Sequence, residues 1–341
     1  MRYRTLGRTG IKVSPYALGT LMFASSIGNA DHADSVRVIH KALDAGINFI
    51  DTADAYGDSE EVVGKALAGG RRDNVVLATK VSRPVGSDPN EQGTSRRWIM
   101  TAVENSLRRL GTDHIDLYQI HRTDPTTDVE ETLSALTDLI RDGKVRAIGS
   151  SGTLASDMVE AQWVAERRGL ARFRTEQPSY SLLNRGIERE VLPVVQRYGM
   201  GALVWGPLAQ GLLTGRVRRN QENGLRRASF LKHLNDGQRI DVVEQFIALA
   251  EEAGMPLTHL ATSFAIAHPG VTSAIIGPRT MEHLDDLLAA LDVVLGDDIL
   301  DRIDAIVPPG TEVGRLDQEY LPPALQETGL RRRPPAERAA A

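Results

Sequence analysis

Residues 48–81 read NFIDTADAYGDSEEVVGKALAGGRRDNVVLATKV. Two strand-like runs, Asn48–Thr52 and Val75–Val81, flank the helix-forming segment Ser59–Leu67. The second run is apolar almost throughout, as a strand covered on both faces must be. A strand, a helix and another such strand make a parallel crossover unit.

The unit recurs in both directions. Upstream, Tyr16–Thr20 is a short apolar run, followed by a helix with Asp34 near its cap and Val36, Ile39 and Leu43 on one face. Before it, Tyr3–Ser14 alternates around the Gly7–Gly10 turn and reads as a hairpin. Downstream, strands are predicted at Ile115–Ile120, Val145–Gly149, Arg172–Gln177, Gly201–Trp205 and Val271–Ile276. Stripes of Ile99, Val103, Leu107 and Leu110, then of Leu133, Leu136 and Ile140 before Gly143, mark two helices. Others are predicted near Met158–Arg168, Glu190–Tyr198, Val242–Ala253 and Met281–Leu291.

Eight strand–helix units predict an α/β fold, a closed (β/α)8 TIM barrel, rather than an open sheet. Residues 1–320 are expected to form one domain, and 321–341, rich in Pro, Arg and Ala, a flexible C-terminal tail. Two long loops interrupt the rhythm, a polar one at 83–96 after the third strand and a basic one at 206–238 after the seventh. Loops of that length usually serve as lids or lack order.

Composition narrows the function. Hydrophobic residues make up 41% of the 341, enough for one large core, and the net charge of −5 argues against nucleic acid as a partner. The absence of cysteine excludes disulfides, thiolate metal sites and cysteine nucleophiles. The eight histidines are scattered without an HExxH run, so no metal is expected. No run approaches the roughly 18 apolar residues of a membrane span. The N-terminal MRYRTLGRTG lacks the apolar stretch of a signal peptide, so no membrane association and a cytoplasmic location are expected.

In such a barrel the chemistry lies at the C-terminal ends of the strands. There the sequence places Asp51, Tyr56 five residues on, Lys80 and His121. A strand-end Asp by itself more often caps a helix or forms a turn. A carboxylate, a phenol, an amine and an imidazole on three consecutive strand ends call for more. Hydride reduction of a carbonyl needs a proton for the developing alkoxide, and a free tyrosine, with a pKa of about 10, is a weak donor near neutral pH. An ammonium about 4 Å away favours the phenolate by roughly 4 kcal/mol at an effective dielectric near 20, or about three pKa units. Asp51 would keep Lys80 charged, and His121 would polarise the carbonyl oxygen.

DTADAY, ATK and the His of DLYQIHR together resemble the catalytic tetrad of the aldo-keto reductase superfamily, and the resemblance runs from Tyr3 to about Val307. It implies Asp51, Tyr56, Lys80 and His121 as catalytic residues and Tyr56 as proton donor to an aldehyde or ketone; the polar 83–96 loop, followed by Trp98, would make a rim suited to a sugar ketone. It also implies an extended nicotinamide cofactor held without a Rossmann glycine motif, and the chain contains no GxGxxG. The matching cofactor positions are Gly19, Thr20 and Asp51, then Ser151 and Gly152 in AIGSSGT and Gln177 in EQPSYS. Trp205 would stack on nicotinamide, with backbone around Gly206, Leu208, Gln210 and Gly211 along the pyrophosphate. Ile276, Gly277, Arg279, His283 and Asp286 would receive the adenosine end, and Arg279 favours NADPH over NADH. Gly152 and Leu287 each stand where Asn is usual, and Trp205 where Tyr is commoner. Met22 and Phe23 would wall the substrate, with Tyr56 and His121 contacting it.

HRTDPTT and GPLAQGLLTG look like the branch that contains general aldehyde and ketone reductases, deoxysugar ketoreductases and potassium-channel β subunits. The alternative implied is an NADPH-sensing regulatory subunit with little turnover. A homo-oligomer is open on this reading.

Overall fold

The computed structural model describes residues 1–219, 221, 224–229, 231–317 and 320–339. Two short antiparallel strands, β1 (Arg4–Thr5) and β2 (Lys12–Val13), form the N-terminal hairpin. Eight parallel strands follow: β3 (Tyr16–Gly19), β4 (Phe49–Asp51), β5 (Val76–Val81), β6 (Ile115–Ile120), β7 (Val145–Ser151), β8 (Thr175–Gln177), β9 (Gly201–Trp205) and β10 (Val271–Ile276). They pair in sequence order, and β10 closes onto β3. The closed (β/α)8 barrel expected from the eight units is what the chain forms.

Alternation along each strand sorts the core into two layers. Ala17, Phe49, Ala78, Leu117, Ala147 and Leu203 form one buried cluster with Leu6 and Val13 of the hairpin. They fill the barrel interior from below, and the hairpin plugs that end. Residues of the opposite parity, among them Leu18, Ile50, Leu77, Tyr118 and Ile148, join the larger cluster beneath the helices. The hairpin is tied down where Arg8 N–H donates to Gly199 O (2.9 Å) and Arg4 Nη1 to Val271 O (2.9 Å).

The helices around the barrel are α1 (His32–Asp44), α2 (Ser59–Leu67), α3 (Arg96–Leu110), α4 (Val129–Arg141), α5 (Ala155–Arg168), α6 (Val191–Tyr198), α7 (Gly237–Glu252), α8 (Leu257–Ala267), α9 (Met281–Ala289) and α10 (Asp297–Ile306). The cap of α1 is Asp31 rather than Asp34: its carboxylate accepts from Ala33 N (2.9 Å) and Asp34 N (3.1 Å). Asp34 falls inside the first turn and pairs with Arg37. No described helix is long and apolar enough to cross a membrane.

The described residues of the 206–238 loop include 3-10 turns in which Leu212, Leu213 and Leu234 are buried, as is Leu231 just before the last of them. After α10, residues 311–317 strap back over the barrel. Val313 N–H donates to Leu183 O (2.8 Å), and the buried Arg239 guanidinium donates to Val313 O (2.6 Å) and Asn184 Oδ1 (2.9 Å). In the 321–341 tail, the described residues form α11 (Pro323–Gln326) and two further 3-10 turns. Residues 340 and 341 of the tail lie outside the described residues.

Candidate active site

The register that builds the barrel also builds its mouth. Asp51 is two residues beyond the inward-facing Phe49, and Lys80 two beyond Ala78. Gln119 and His121 lie two and four beyond Leu117, and Trp205 two beyond Leu203. Lys80 pairs in register with Gln119, and Ser151 with Gln177. Period-two alternation therefore delivers these side chains to one level, above the apolar plug.

There Asp51, His121, Ser151, Gln177 and Trp205 line a cleft of about 1040 Å³, with Lys80 and Gln119 buried beneath it. At its floor the Lys80 ammonium, fully buried, donates to Asp51 Oδ2 (2.5 Å) and to Thr52 O (2.8 Å). The other oxygen of Asp51 accepts from Gln177 Nε2 (2.8 Å) and Gln119 Nε2 (3.2 Å). Burial disfavours the ammonium, but the charges and hydrogen bonds of Asp51 and Tyr56 together outweigh it, so the Lys80 pKa is raised. The Lys80 nitrogen is 5.0 Å from the centre of the Tyr56 ring, and the His121 ring meets Tyr56 edge-on at 5.5 Å. Burial holds His121 well below its ordinary pKa of 6.5, and the charges of Lys80, Arg122 and Arg83 push the same way. The imidazole is thus neutral at pH 7, and its buried Nδ1 has no hydrogen-bond partner among the described residues. The sequence grouped Asp51, Tyr56, Lys80 and His121, and the fold brings all four together.

From this floor the cleft runs past Gly19, Thr20, Ser151, Gln177 and Trp205. It continues along Gly206, Leu208, Gln210 and Gly211 to Ile276, Gly277, Arg279, His283 and Asp286. Gly206, Ala209, Gln210 and Gly211 all have positive φ (72°, 46°, 57° and 116°), which turns successive peptide groups and makes a concavity suited to an anion. Two of the four are not glycine, so the shape is held against a local cost. At the far end Arg216 and Arg279 flank the start of α9, where Thr280 Oγ1 accepts from His283 N (3.4 Å). Burial, then Arg216 and Arg279, lower the His283 pKa. A long groove with an indole, an anion concavity and two guanidinium groups beside a helix N-terminus fits an extended dinucleotide.

Three expected contacts fall elsewhere. Met22 lines the cleft, but Phe23 is fully buried in the core beneath the helices, because the 3-10 turn Leu21–Phe23 points it inward. Gly152 does not reach the cleft: at φ 63° it turns away, and the Arg122 Nη1 lies 3.2 Å from where its Cβ would be. The polar residues of the 83–96 loop serve structure, Ser95 capping α3 and Arg96 pairing with Asp138, so only Arg83 and Pro84 line the cleft. Sequence reasoning missed Gln119, Arg122, Arg83 and Arg216. The parity that selects His121 also selects Gln119 two residues earlier. Nothing in the local sequence sets the arginines apart from solvated ones.

A closed parallel barrel with its reactive side chains at the C-terminal strand ends defines a barrel enzyme. Known proteins agree in kind. The Aldo/keto reductase family matches residues 16–308. The chain is 41% identical to an uncharacterized oxidoreductase, YrpG, of Bacillus subtilis, over 92% of this chain and 98% of that one. It is 35% identical to a probable voltage-gated potassium channel subunit beta of Oryza sativa subsp. japonica, over 90% and 97%. It is 33% identical to the aldo-keto reductase YhdN of Bacillus subtilis, over 96% and 99%. The chain belongs to the aldo/keto reductase family and is an oxidoreductase of that kind.

Proposed function

We propose that the protein is an NADPH-dependent carbonyl reductase that converts an aldehyde or ketone to its alcohol, with Tyr56 as the proton donor. The observation that carries this reading is the Lys80 ammonium, locked by Asp51, beneath a Tyr56 ring that neutral His121 meets edge-on. Nicotinamide, when bound, supplies the hydride.

The protein's own residues do the rest. Trp205 offers a flat face and Gln177 and Ser151 polar groups at the cleft wall, which orient the ring and its carboxamide. Neutral His121 donates a hydrogen bond to the substrate oxygen without competing as an acid. The Tyr56 hydroxyl gives its proton to that oxygen as it gains charge, and the adjacent ammonium stabilises the phenolate left behind. Asp51 cannot drift, because it accepts from Lys80, Gln119 and Gln177 together. Arg279 and Arg216, beside α9, favour a phosphate on the adenosine and hence NADPH.

Replacing Tyr56 with Phe tests this. NADPH absorbance with a carbonyl substrate should show turnover lowered by about 10²-fold or more, the scale of general acid catalysis. NADPH binding, followed by fluorescence, should be nearly intact. Undiminished turnover refutes the mechanism. Relatives named as channel β subunits favour a second reading, a cofactor-sensing subunit. Its mark would be a retained cofactor with no multiple turnovers of any carbonyl compound.

A further inference from the structure

We infer that Asp58 is a positioning residue for the cofactor: its carboxylate pins residues 25–32 beside the cleft, so that Ile27 keeps its place on the cleft wall and delays release of the bound dinucleotide. The inference rests on the reading that the cleft holds a nicotinamide dinucleotide, and it adds what sets the residence time.

Leu21, Met22 and Ile27, in the connection from β3 to α1, line the cleft along with Gly19, Thr20 and Tyr56. Met22 Cγ lies 3.9 Å from where a Cβ on Gly277 would be, so the connection reaches the end of β10. Burial fixes its first half, where Phe23 and Ala24 are fully enclosed. The second half lacks such a hold: none of residues 25–30 is buried, and Ile27 is among them. An isoleucine side chain makes no directed bond, so it grips a ligand only by close contact. A gap of about 0.5–1 Å already forfeits about a quarter to a half of such a contact. The grip therefore depends on what holds residues 25–30 in place.

Asp58 supplies that hold. It is the cap residue of α2, two positions after Tyr56, where an Asp ordinarily accepts from the free N–H groups of its own helix. Here its side chain makes no such bond. It turns to the neighbouring connection instead. Its Oδ1 accepts from Ser25 N (2.9 Å), and its Oδ2 accepts from Ser25 Oγ. His32 Nε2 lies 2.8 Å from the same Oδ2 and, facing a carboxylate, is the donor. Ser25 and His32 bracket the half that has no buried side chain, so one carboxylate ties down both of its ends. Burial works against the charge, but the hydrogen bonds from Ser25, His32 and the Asp58 N–H outweigh it and hold the carboxyl at about 2. Within the span, Gly28 N donates to Ala24 O (2.9 Å) and Asn29 N to Met22 O (2.9 Å). Among the described residues, only the bonds to Asp58 join 25–32 to an element other than its own connection and α1.

The test reads NADPH release. Each protein is loaded with NADPH and mixed rapidly with excess NADP+, and the decay of bound-NADPH fluorescence gives koff. Asp58→Ala should raise koff by about three- to tenfold, the scale of one net hydrogen bond. Because the Asp58 side chain makes no cap bond, α2 keeps its start in this variant. Ser25 is exposed, so Ser25→Ala should fold, and it should show part of the same rise. Ser25→Ala combined with Asp58→Ala should release NADPH no faster than Asp58→Ala alone, since both act through one anchor. Asp58→Ala should also speed amide hydrogen exchange across 25–30 and leave α4 unchanged. An unchanged koff in both single variants, or rises that add independently in the combined one, overturn the inference and leave dinucleotide binding standing. Faster exchange without faster release overturns it too, because 25–30 would then move without loosening the cofactor. If the wild type does not bind NADPH, the cofactor reading falls and this inference with it.

Discussion

Asp54 sits between Asp51 and Tyr56 and is 7% exposed, yet neither of its carboxylate oxygens finds a hydrogen-bond partner among the described residues. Burial, followed by the nearby Glu60 carboxylate, raises its pKa from 3.8 to about 7, and the Ala55 N–H, Arg109 and Lys80 offset only part of this. Between those two values the folded carboxyl keeps a proton that the unfolded chain has released. Folding there takes up protons, so stability falls as pH rises from about 4 to about 7 and stays lower above. From 3.8 to about 7 the whole effect is about 4 kcal/mol, of which about 3 kcal/mol falls between pH 5 and pH 8. Asp54→Asn keeps the shape and removes the titration. Urea unfolding of both proteins at several pH values measures it. The variant's stability relative to wild type should climb by about 3 kcal/mol from pH 5 to pH 8. Because Glu176 titrates in both proteins, its contribution cancels in the difference. A difference that stays flat to within about 0.5 kcal/mol over that range would show that the charged carboxylate is solvated or paired and the reasoning wrong.

Two further substitutions probe the frame of the site. Asp51→Asn leaves the Lys80 ammonium buried without its counter-charge, and urea unfolding at pH 7 should show a loss of about 3–5 kcal/mol. Gly64 lies where α2 meets the end of α3, and a Cβ there would be 2.7 Å from Arg109 O and 2.8 Å from Leu110 O. Gly64→Ala should therefore lower the melting temperature, its overpacking cost of about 1–3 kcal/mol exceeding the gain of about 1 kcal/mol in helix propensity. A rise would mean that the two helices separate cheaply.

Most of the strands were legible because they are short, largely apolar segments set between amphipathic helices, and the tetrad because it sits at strand ends. The helix α8 was not. Its sequence, LTHLATSFAIA, is apolar nearly all round, since α8 packs against β10 and the 206–238 loop as well as its helix neighbours, so it shows no stripe. Phe23 was misplaced for a related reason. An apolar residue after a strand reads alike as cleft wall or core, and only the turn direction decides. The strand at Arg172 begins at Thr175 instead, a boundary that side-chain hydrophobicity does not mark. Arg83 and Arg122 follow different strand ends, and only the fold brings both to one cleft.

The closing seam of the barrel also governs when the cleft can exist. Tyr16 pairs with Ala274, and Ser273 Oγ bonds Ser14 O across a separation of 259 positions. Gly19 and Ile276 face the cleft from the two sides of this seam. During synthesis the first barrel strand leaves the ribosome long before its β10 partner is made, and although β4 can cover one of its edges, the other must wait unpaired until the last strand arrives. Such distant pairing is slow to form and exposes apolar edges meanwhile. A ligand that touches both sides of the seam grips only the closed ring, so its arrival would act as a latch on a nearly finished chain.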